Sequence, residues 1–174
     1  GIKNGFYTQK VIPLLNQEMN TFLSLFEEFR FQMMYENKQF IYLLNDRGNQ
    51  PTLDKASGYQ NFIINIAFRL ALTRIGAVGQ QLKHLFIDEG FTACDVYNIE
   101  KIPLLLQSMM TYGNYHSILL MSHLDSVREC TQQTITIERS DPFSKIHFGT
   151  SYPSWETEGK RKKKSANASS SFVP

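Results

Sequence analysis

The feature that most constrains the fold of this chain is a pair of short apolar runs, each ending in polar residues, on either side of a helical pattern. The runs occupy residues 82–87 and 117–121, and residues 98–110 between them carry apolar side chains at helical spacing. A strand, a helix and a second strand within about forty residues predict a parallel crossover unit, whose ligand-binding edge lies at the carboxyl ends of the strands. We therefore predict an α/β fold with Asp88-Glu89 and Ser122-His123 at that edge.

The first part of the chain predicts an amphipathic helix followed by a β-hairpin. Residues 6–26 place apolar side chains on one helical face, with Pro13 in the first turn or at a kink. Residues 29–33 and 39–43 are aromatic-rich segments joined by a polar turn, which is typical of a hairpin. The apolar helical positions are Val11, Leu14, Leu15, Met19, Phe22 and Leu23.

A second helical pattern lies in the middle of the chain. Residues 45–55 are rich in Asp, Asn, Gly and Pro and predict an exposed loop. Residues 62–75 then form a pattern that is apolar over most of the helix circumference, and Gly76 and Gly79 end it. Such a helix is expected to be buried, and so are the two apolar strands that follow it, because strands of a parallel sheet are covered on both faces.

The end of the chain predicts a further hairpin and a basic tail. Residues 134–138 alternate as a strand, for which residues 146–148 offer a partner. From Thr150 onward the composition turns to Ser, Lys and Ala, which predicts disorder. The positive run at residues 160–164 could bind phosphate backbones or act as a nuclear-import signal, although such runs are more often solvated or targeting tails.

Composition excludes several classes of protein. A chain of 174 residues with 42% hydrophobic content suits one globular lobe. Its apolar runs are far shorter than the roughly 20 residues that a membrane helix needs, so we expect no membrane partner. Cys94 and Cys130 are the two cysteines, which predicts neither a disulfide framework nor a zinc site and favours a reducing, intracellular compartment. Because the chain begins at Gly1 rather than Met, we expect it to be part of a longer polypeptide.

The acidic pair after the first strand is a candidate catalytic and metal-binding element. Asp88 ends that strand and could hold a magnesium-bound water, and Glu89 could orient an attacking water. Acidic residues at the end of a strand also cap helices, and these two residues alone leave that alternative open.

Two other segments carry candidate functional groups. Ser57 precedes the long helix and could cap it, and the free amides of that first turn form an anion site; the cap alone is the other interpretation. His123 follows the second strand and should project toward whatever Asp88 and Glu89 face, although a lone His is more often structural. The remaining histidines are interpreted as structural or surface residues: His84, His116 and His147.

Taken in chain order, these segments resemble the carboxy-terminal lobe of an ABC ATPase head, which is half of a P-loop NTPase. The matching stretches are residues 56–60 (Ala-Ser-Gly-Tyr-Gln), 85–91 (Leu-Phe-Ile-Asp-Glu-Gly-Phe), 92–95 (Thr-Ala-Cys-Asp) and 121–123 (Met-Ser-His). Within this group the chain is most similar to the SMC-like, SbcC-type ATPases of DNA double-strand-break repair. The resemblance covers roughly residues 10 to 140.

The resemblance implies roles for the acidic pair and the histidine. Asp88 would be the Walker B ligand of Mg²⁺ and Glu89 the carboxylate that positions water. His123 would be the switch histidine near the terminal phosphate of ATP.

The resemblance also implies residues that act across a dimer of heads. Ser57, Gly58, Tyr59 and Gln60 would form the signature loop that meets ATP held by the opposite head, and Asp95 would cross the head-to-head interface. The chain departs from the family pattern at Tyr59, where a second Gly is usual, and at Cys94, where Leu is common.

The implied enzyme is an ATPase that is incomplete in this chain. No Gly-x-x-x-x-Gly-Lys-Ser/Thr run occurs, so an amino-terminal lobe must supply the phosphate-binding loop. By resemblance, residues 1–26 are a helix returning from a coiled coil, 27–149 the ATPase lobe with its small hairpin, and 150–174 the tail.

The partners implied are that amino-terminal lobe, a second head, a nuclease subunit and DNA, with cytoplasmic or nuclear localisation. The alternatives are a non-hydrolysing SMC-like scaffold or another chromosome-maintenance head.

Overall fold

The computed structural model describes residue 5 and residues 7–49, 52–76, 82–94 and 96–150. The chain divides into two compact units, Gly1–Met121 and Ser122–Pro174. The interpretations of Asp95, Gly79 and the basic tail concern positions outside the described residues.

The first helix, α1 (Ile12–Leu23), follows a π-helical turn at Tyr7–Val11. Pro13 lies in its first turn, directly after the π-helical segment. The inclusion of Leu14 in the apolar face was wrong: it is 39% exposed because it lies off the stripe that packs inward. That stripe consists of Ile12, Leu15, Met19, Phe22 and Leu23.

The predicted hairpin is confirmed as β1 (Arg30–Glu36) paired antiparallel with β2 (Gln39–Asn45). Two amide side chains of α1 bind the backbone of β1. Asn20 donates to the Phe31 carbonyl at 2.7 Å and accepts from the Phe31 N–H at 2.9 Å. Asn16 donates to the Met33 carbonyl at 2.9 Å and accepts from the Met33 N–H at 2.8 Å. These bonds satisfy buried strand groups that no neighbouring strand satisfies.

The long central helix, α2 (Gly58–Ile75), packs against α1. Its buried side chains spread around much of the helix, as the sequence predicts, although Leu72 is 47% exposed. The helix ends at Gly76, whose N–H donates to the Leu72 carbonyl at 2.9 Å. The buried residues are Tyr59, Ile63, Ile64, Ile66, Ala67, Leu70 and Ala71.

The crossover unit is confirmed: β3 (His84–Asp88) and β4 (Ser117–Met121) are parallel and paired in register. Where the sequence predicts one helix between them, the structure has a short turn of helix, α3 (Val96–Ile99), and a longer α4 (Ile102–Gly113). Pro103, at the start of α4, favours a new helix there.

The prediction that both strands are buried was wrong: one face of the sheet is exposed, and the side chains of the other face are only partly buried. Phe86 is 67% exposed, and Leu119 and Met121 are each 45% exposed. Phe86 pairs with Leu119, so these side chains form one apolar surface. We call Phe86, Leu119 and Met121 the open sheet face. The described elements of this unit leave this face exposed to solvent, whereas they partly bury the opposite face.

The second unit contains a short helix, α5 (Asp125–Arg128), and the predicted hairpin of β5 (Gln133–Ser140) and β6 (Phe143–Thr150). Ile135 pairs with Phe148 and Ile137 with Ile146, which places four apolar side chains on one exposed face. Across the described residues, no helix has the length and apolar character to cross a membrane.

Candidate functional site

The acidic pair forms a turn at the carboxyl end of β3. Asp88 ends the strand, and both Asp88 and Glu89 are exposed. Glu89 has the left-handed backbone conformation (φ 49°, ψ 21°), and its N–H donates to the Met121 carbonyl at 2.9 Å. A non-glycine residue in this conformation is strained and persists where its surroundings hold it, which is frequent at functional sites.

The acidic turn rests on α2. A Cβ at Gly90 would lie only 3.0 Å from Cζ of Phe62 and 3.3 Å from Cγ2 of Ile87, so the helix side chain and the turn are already in close contact. Phe91 is fully buried and meets the Phe62 ring edge-on at 5.2 Å between centroids. Thr92 Oγ1 donates to the Glu89 carbonyl at 3.3 Å. The position of Glu89 is therefore set by α2 as well as by the sheet.

The acidic turn offers hard oxygen ligands for a divalent cation. Among the described residues, no cluster of three or more His, Cys, Asp or Glu side chains could hold a metal by itself. Mg²⁺, however, is commonly bound by one or two carboxylates together with substrate phosphates and water. Asp88 and Glu89 therefore fit Mg²⁺ as part of a site that a phosphate ligand would complete.

Ser57 forms a complete capping box at the start of α2. Its Oγ accepts the Gln60 N–H at 3.1 Å, and Gln60 Oε1 accepts the Ser57 N–H at 3.0 Å. The interpretation of Ser57 as a helix cap is thus confirmed. The hydroxyl acts here as an acceptor, so its hydrogen remains available for an anion, and both Ser57 and Gly58 are exposed.

The next two side chains are turned into the protein. Tyr59 is 5% exposed and its hydroxyl donates to Oε1 of Glu27 at 2.5 Å. Gln60 Nε2 donates to Oδ2 of Asp46 at 3.1 Å. A cleft of about 840 Å³ opens here, lined by both residues together with Ser57, Glu27 and Asp46. A ligand on the exposed side of the turn would therefore meet Ser57 and Gly58 rather than the Tyr59 ring.

His123 is exposed and lies two residues beyond the end of β4, in the second unit. Its proximity to the acidic turn stays a prediction. Of the other histidines, His84 and His116 are exposed, and His147 is a strand-surface residue as predicted. His84, at the amino end of β3, shares a 2.8 Å hydrogen bond with Ser117, and His147 on β6 lies 3.4 Å from Glu138.

Several supporting residues escaped the sequence analysis. Glu27 lies 32 residues before Tyr59 and 74 before Lys101, both of which bind its carboxylate. Phe62 looked like any other apolar position of α2. No local pattern identifies these pairs, because each contact joins segments that are distant in sequence.

A second buried tyrosine–carboxylate pair lies between α1 and α4. The Tyr112 hydroxyl donates to Oε2 of Glu18 at 2.5 Å, and Arg74 Nε donates to the same oxygen at 2.8 Å. The Tyr112 hydrogen bond holds the pKa of Glu18 below its ordinary value, and Arg74 acts in the same direction against the effect of burial. Burial and Glu18 together raise the pKa of Tyr112. This cluster ties helices together and is distinct from the acidic turn.

Three relatives are similar to this chain in sequence. Uncharacterized protein R555 of Acanthamoeba polyphaga mimivirus is 24% identical over 152 residues, covering 78% of this chain and 11% of the relative. The SbcC component of the nuclease SbcCD from Lactococcus lactis is 27% identical and covers 76% of this chain and 13% of the relative. A probable DNA double-strand break repair Rad50 ATPase of Aquifex aeolicus is 23% identical, covering 79% and 14%. The chain thus spans roughly an eighth of the length of these relatives.

Solved structures share the fold. One, from work on ATP-driven dimerization and DNA-stimulated activation of SMC ATPases, superposes with a TM-score of 0.69 at 12% identity over 92% of this chain and 97% of its own. The Smc head domain of Pyrococcus furiosus, solved with an extended coiled coil and bound to the C-terminal domain of ScpA, gives 0.60 at 15% identity over 93% and 39%. No protein-family model matches the chain.

Proposed function

We propose that this chain, which has the fold of the carboxy-terminal lobe of an SMC-type ATPase head and is similar in sequence to SbcC and Rad50 ATPases, supplies half of an ATP-hydrolysing site. The observation that carries the proposal is the acidic turn. Two exposed carboxylates end a parallel strand at its carboxyl edge, and the second is held in a strained conformation by the neighbouring strand. In α/β folds this edge is where ligands bind.

In this proposal the acidic turn divides two tasks between adjacent side chains. Asp88 would hold Mg²⁺, directly or through water, and the bound ion would supply positive charge beside the ATP phosphates. Glu89 accepts a hydrogen bond from the attacking water and aims it at the terminal phosphate. Its left-handed backbone turns its side chain away from the direction of the strand, so that neighbouring carboxylates serve different groups.

The capped turn of α2 acts on the nucleotide of a second head. The Ser57 hydroxyl donates to the terminal phosphate, and the Gly58 N–H and the positive end of α2 add to the attraction. Tyr59 and Gln60 support this turn, and their backbone completes it. Asp95 contributes to the interface between heads and His123 contacts the terminal phosphate; both roles rest on the resemblance of their motifs.

The open sheet face supports the need for an amino-terminal lobe. Parallel sheets have both faces covered in folded proteins, and Phe86, Leu119 and Met121 leave one face of this pair exposed. Among the described strands, neither edge of this parallel pair adjoins a further strand. We infer that a lobe carrying the phosphate-binding loop packs on this face and extends the sheet.

The wider role follows from the relatives named above. We propose that the complete ATPase dimerises through its heads around two ATP molecules, acts with a nuclease subunit on DNA ends, and works in the reducing interior of the cell, in cytoplasm or nucleus. The exposed apolar face of the β5–β6 hairpin offers additional surface for one of these partners.

The direct test is ATP turnover by this lobe combined with its amino-terminal lobe. Glu89→Gln preserves size and hydrogen bonding but removes the charge that orients water, so we expect kcat to fall by about 10²–10⁴-fold while ATP binding persists. Glu36→Gln, on the exposed tip of β1, is the matched control and should leave turnover unchanged. Turnover that Glu89→Gln does not alter would remove Glu89 from the mechanism. Binding and dimerisation without any wild-type turnover would instead favour the non-hydrolysing scaffold.

A further inference from the structure

We propose that Tyr59 is a positioning residue for the signature turn, residues 57–60, acting through a Tyr59–Glu27–Lys101 cluster that holds Ser57 and Gly58 ready for the opposite head. The inference rests on the proposed function, because it concerns how that turn meets a nucleotide. It assigns a purpose to the position where the sequence departs from the Gly of the family pattern.

The cluster joins three distant segments. The Tyr59 hydroxyl donates to Oε1 of Glu27 at 2.5 Å, and Lys101 Nζ lies 3.1 Å from each oxygen of the same carboxylate. The Glu27 side chain is only 7% exposed. The Lys101 ammonium also lies 5.4 Å from the centre of the Tyr59 ring. Glu27 leads from α1 into β1, and Lys101 immediately precedes α4. The first turn of α2 is thereby fixed to both.

Gln60 provides a second attachment beside the first. Its side chain reaches back to the Ser57 N–H at 3.0 Å and forward to Asp46 at 3.1 Å. Ser57 and Gly58 remain on the exposed side of the turn, while Tyr59 and Gln60 hold its inner side. A glycine at position 59 would have no side chain to bind Glu27.

The physical consequence is preorganisation. A turn whose geometry is set before the second head arrives loses less conformational freedom on contact, and the contact is correspondingly tighter. Removing the Tyr59 hydroxyl leaves the Glu27–Lys101 ion pair intact but breaks the hydrogen bond that joins the turn to it. A hydrogen bond to a charged group contributes enough free energy to change the equilibrium constant for association of two heads by about tenfold. We therefore expect a defect in head-to-head engagement rather than in the chemistry.

The chain contains a matched control. Tyr112 is also a buried tyrosine whose hydroxyl donates at 2.5 Å to a carboxylate paired with a cation, here Glu18 and Arg74. Tyr112→Phe and Tyr59→Phe each remove a phenolic hydroxyl that donates to a carboxylate, and the Tyr112 hydroxyl also lies 2.8 Å from the Glu18 carbonyl. Tyr112→Phe should therefore cost at least as much stability as Tyr59→Phe. Only Tyr59→Phe removes a support of the signature turn.

The experiment measures ATPase rate against head concentration, using this lobe combined with its amino-terminal lobe. For Tyr59→Phe we expect the concentration giving half-maximal rate to rise about tenfold, with the maximal rate regained at high concentration. For Tyr112→Phe we expect the half-maximal concentration of the wild type. Lys101→Met is the second variant, should Tyr59→Phe fold poorly. It removes the cation beside the Glu27 carboxylate and so loosens Glu27 from the other side, and we expect the same rise in the half-maximal concentration. Because this leaves a largely buried carboxylate without its cation, urea unfolding of the variant checks that it remains folded.

Three outcomes would overturn the inference. An active wild type with equal half-maximal concentrations for Tyr59→Phe and Tyr112→Phe would show that Tyr59 only stabilises the fold. A lower maximal rate at unchanged half-maximal concentration would place Tyr59 in the chemistry instead. A wild-type complex that binds no second head with ATP and hydrolyses none would remove the proposed function together with this inference.

Discussion

The close contact between Gly90 and Phe62 makes Gly90→Ala the sharpest perturbation of the acidic turn. An added Cβ would overlap Cε2 of Phe62 and would also lie 3.0 Å from its Cζ and 3.3 Å from Cγ2 of Ile87. Ordinary contacts between carbon atoms are about 3.5–4.0 Å. Either the Phe62 ring withdraws or the turn that carries Asp88 and Glu89 shifts.

The expected change in the free energy of unfolding is the balance of two opposing effects. Overpacking of this kind costs about 1–3 kcal/mol, and withdrawal of the ring also weakens its edge-on contact with Phe91, which is worth about 0.5–1.5 kcal/mol. Against this, replacing glycine by alanine restricts the unfolded chain and returns about 0.4–1 kcal/mol. We therefore expect Gly90→Ala to lower the free energy of unfolding by about 1–2 kcal/mol.

The assay is a double-mutant cycle read by urea unfolding. Phe62→Leu makes room for the new methyl group, so Gly90→Ala should be less harmful in that background by about 1 kcal/mol. ATP turnover of the combined lobes is measured beside it. A shifted acidic turn should reduce kcat by up to about 10²-fold, and Phe62→Leu should restore part of that loss.

Additivity would refute this reasoning. If the free energies of the two single variants sum to that of the double variant within about 0.5 kcal/mol, Phe62 does not set the position of the turn. Full turnover by a folded Gly90→Ala variant would likewise show that the position of Glu89 does not depend on α2.

The other predictions test packing, the open sheet face and acid stability. Asn20→Ala should lower the free energy of unfolding by about 2–4 kcal/mol in urea titrations, because both backbone groups of buried Phe31 lose their partner. Phe86→Lys should abolish co-purification with the amino-terminal lobe while making this chain more soluble alone. The hydrogen bond from Tyr112 lowers the pKa of Glu18 in the folded protein, so ionised Glu18 stabilises the fold. This contribution is complete above the pKa of Glu in the unfolded chain, about 4.3, and is lost as pH falls through the lower pKa of the folded protein. The difference in free energy of unfolding between wild type and Tyr112→Phe should therefore narrow below about pH 4.

The crossover unit was predictable because its evidence is local. Each strand is a short apolar run, the intervening segment has helical spacing, and the handedness of parallel connections leaves few arrangements. The positions of the acidic turn and of His123 in the chain were predictable because both come at the ends of those strands. Both hairpins were likewise readable from paired runs around polar turns.

Features that depend on distant contacts were not predictable. Leu14 belongs to the same periodic pattern as Leu15, and only the packing partner of α1 decides which is buried. The exposure of Phe86 depends on cover from outside the unit, about which an apolar strand pattern carries no information. The bond between Tyr59 and Glu27 joins segments whose approach is determined by the whole fold.

Helix α2 connects the two halves of the proposed chemistry. Ser57 caps its first turn, and Phe62, five residues and therefore about 7.5 Å further along the helix, supports Gly90 beneath the acidic turn. Both residues lie in the first two turns of the helix, so a displacement of one should move the other. When Ser57 contacts the nucleotide of the opposite head, the position of Glu89 in its own head should therefore change. We expect ATP hydrolysis by the paired heads to be cooperative in ATP, and Phe62→Leu to reduce the Hill coefficient toward 1 while leaving dimerisation intact. Unchanged cooperativity in that variant would mean that the two sites communicate by another route.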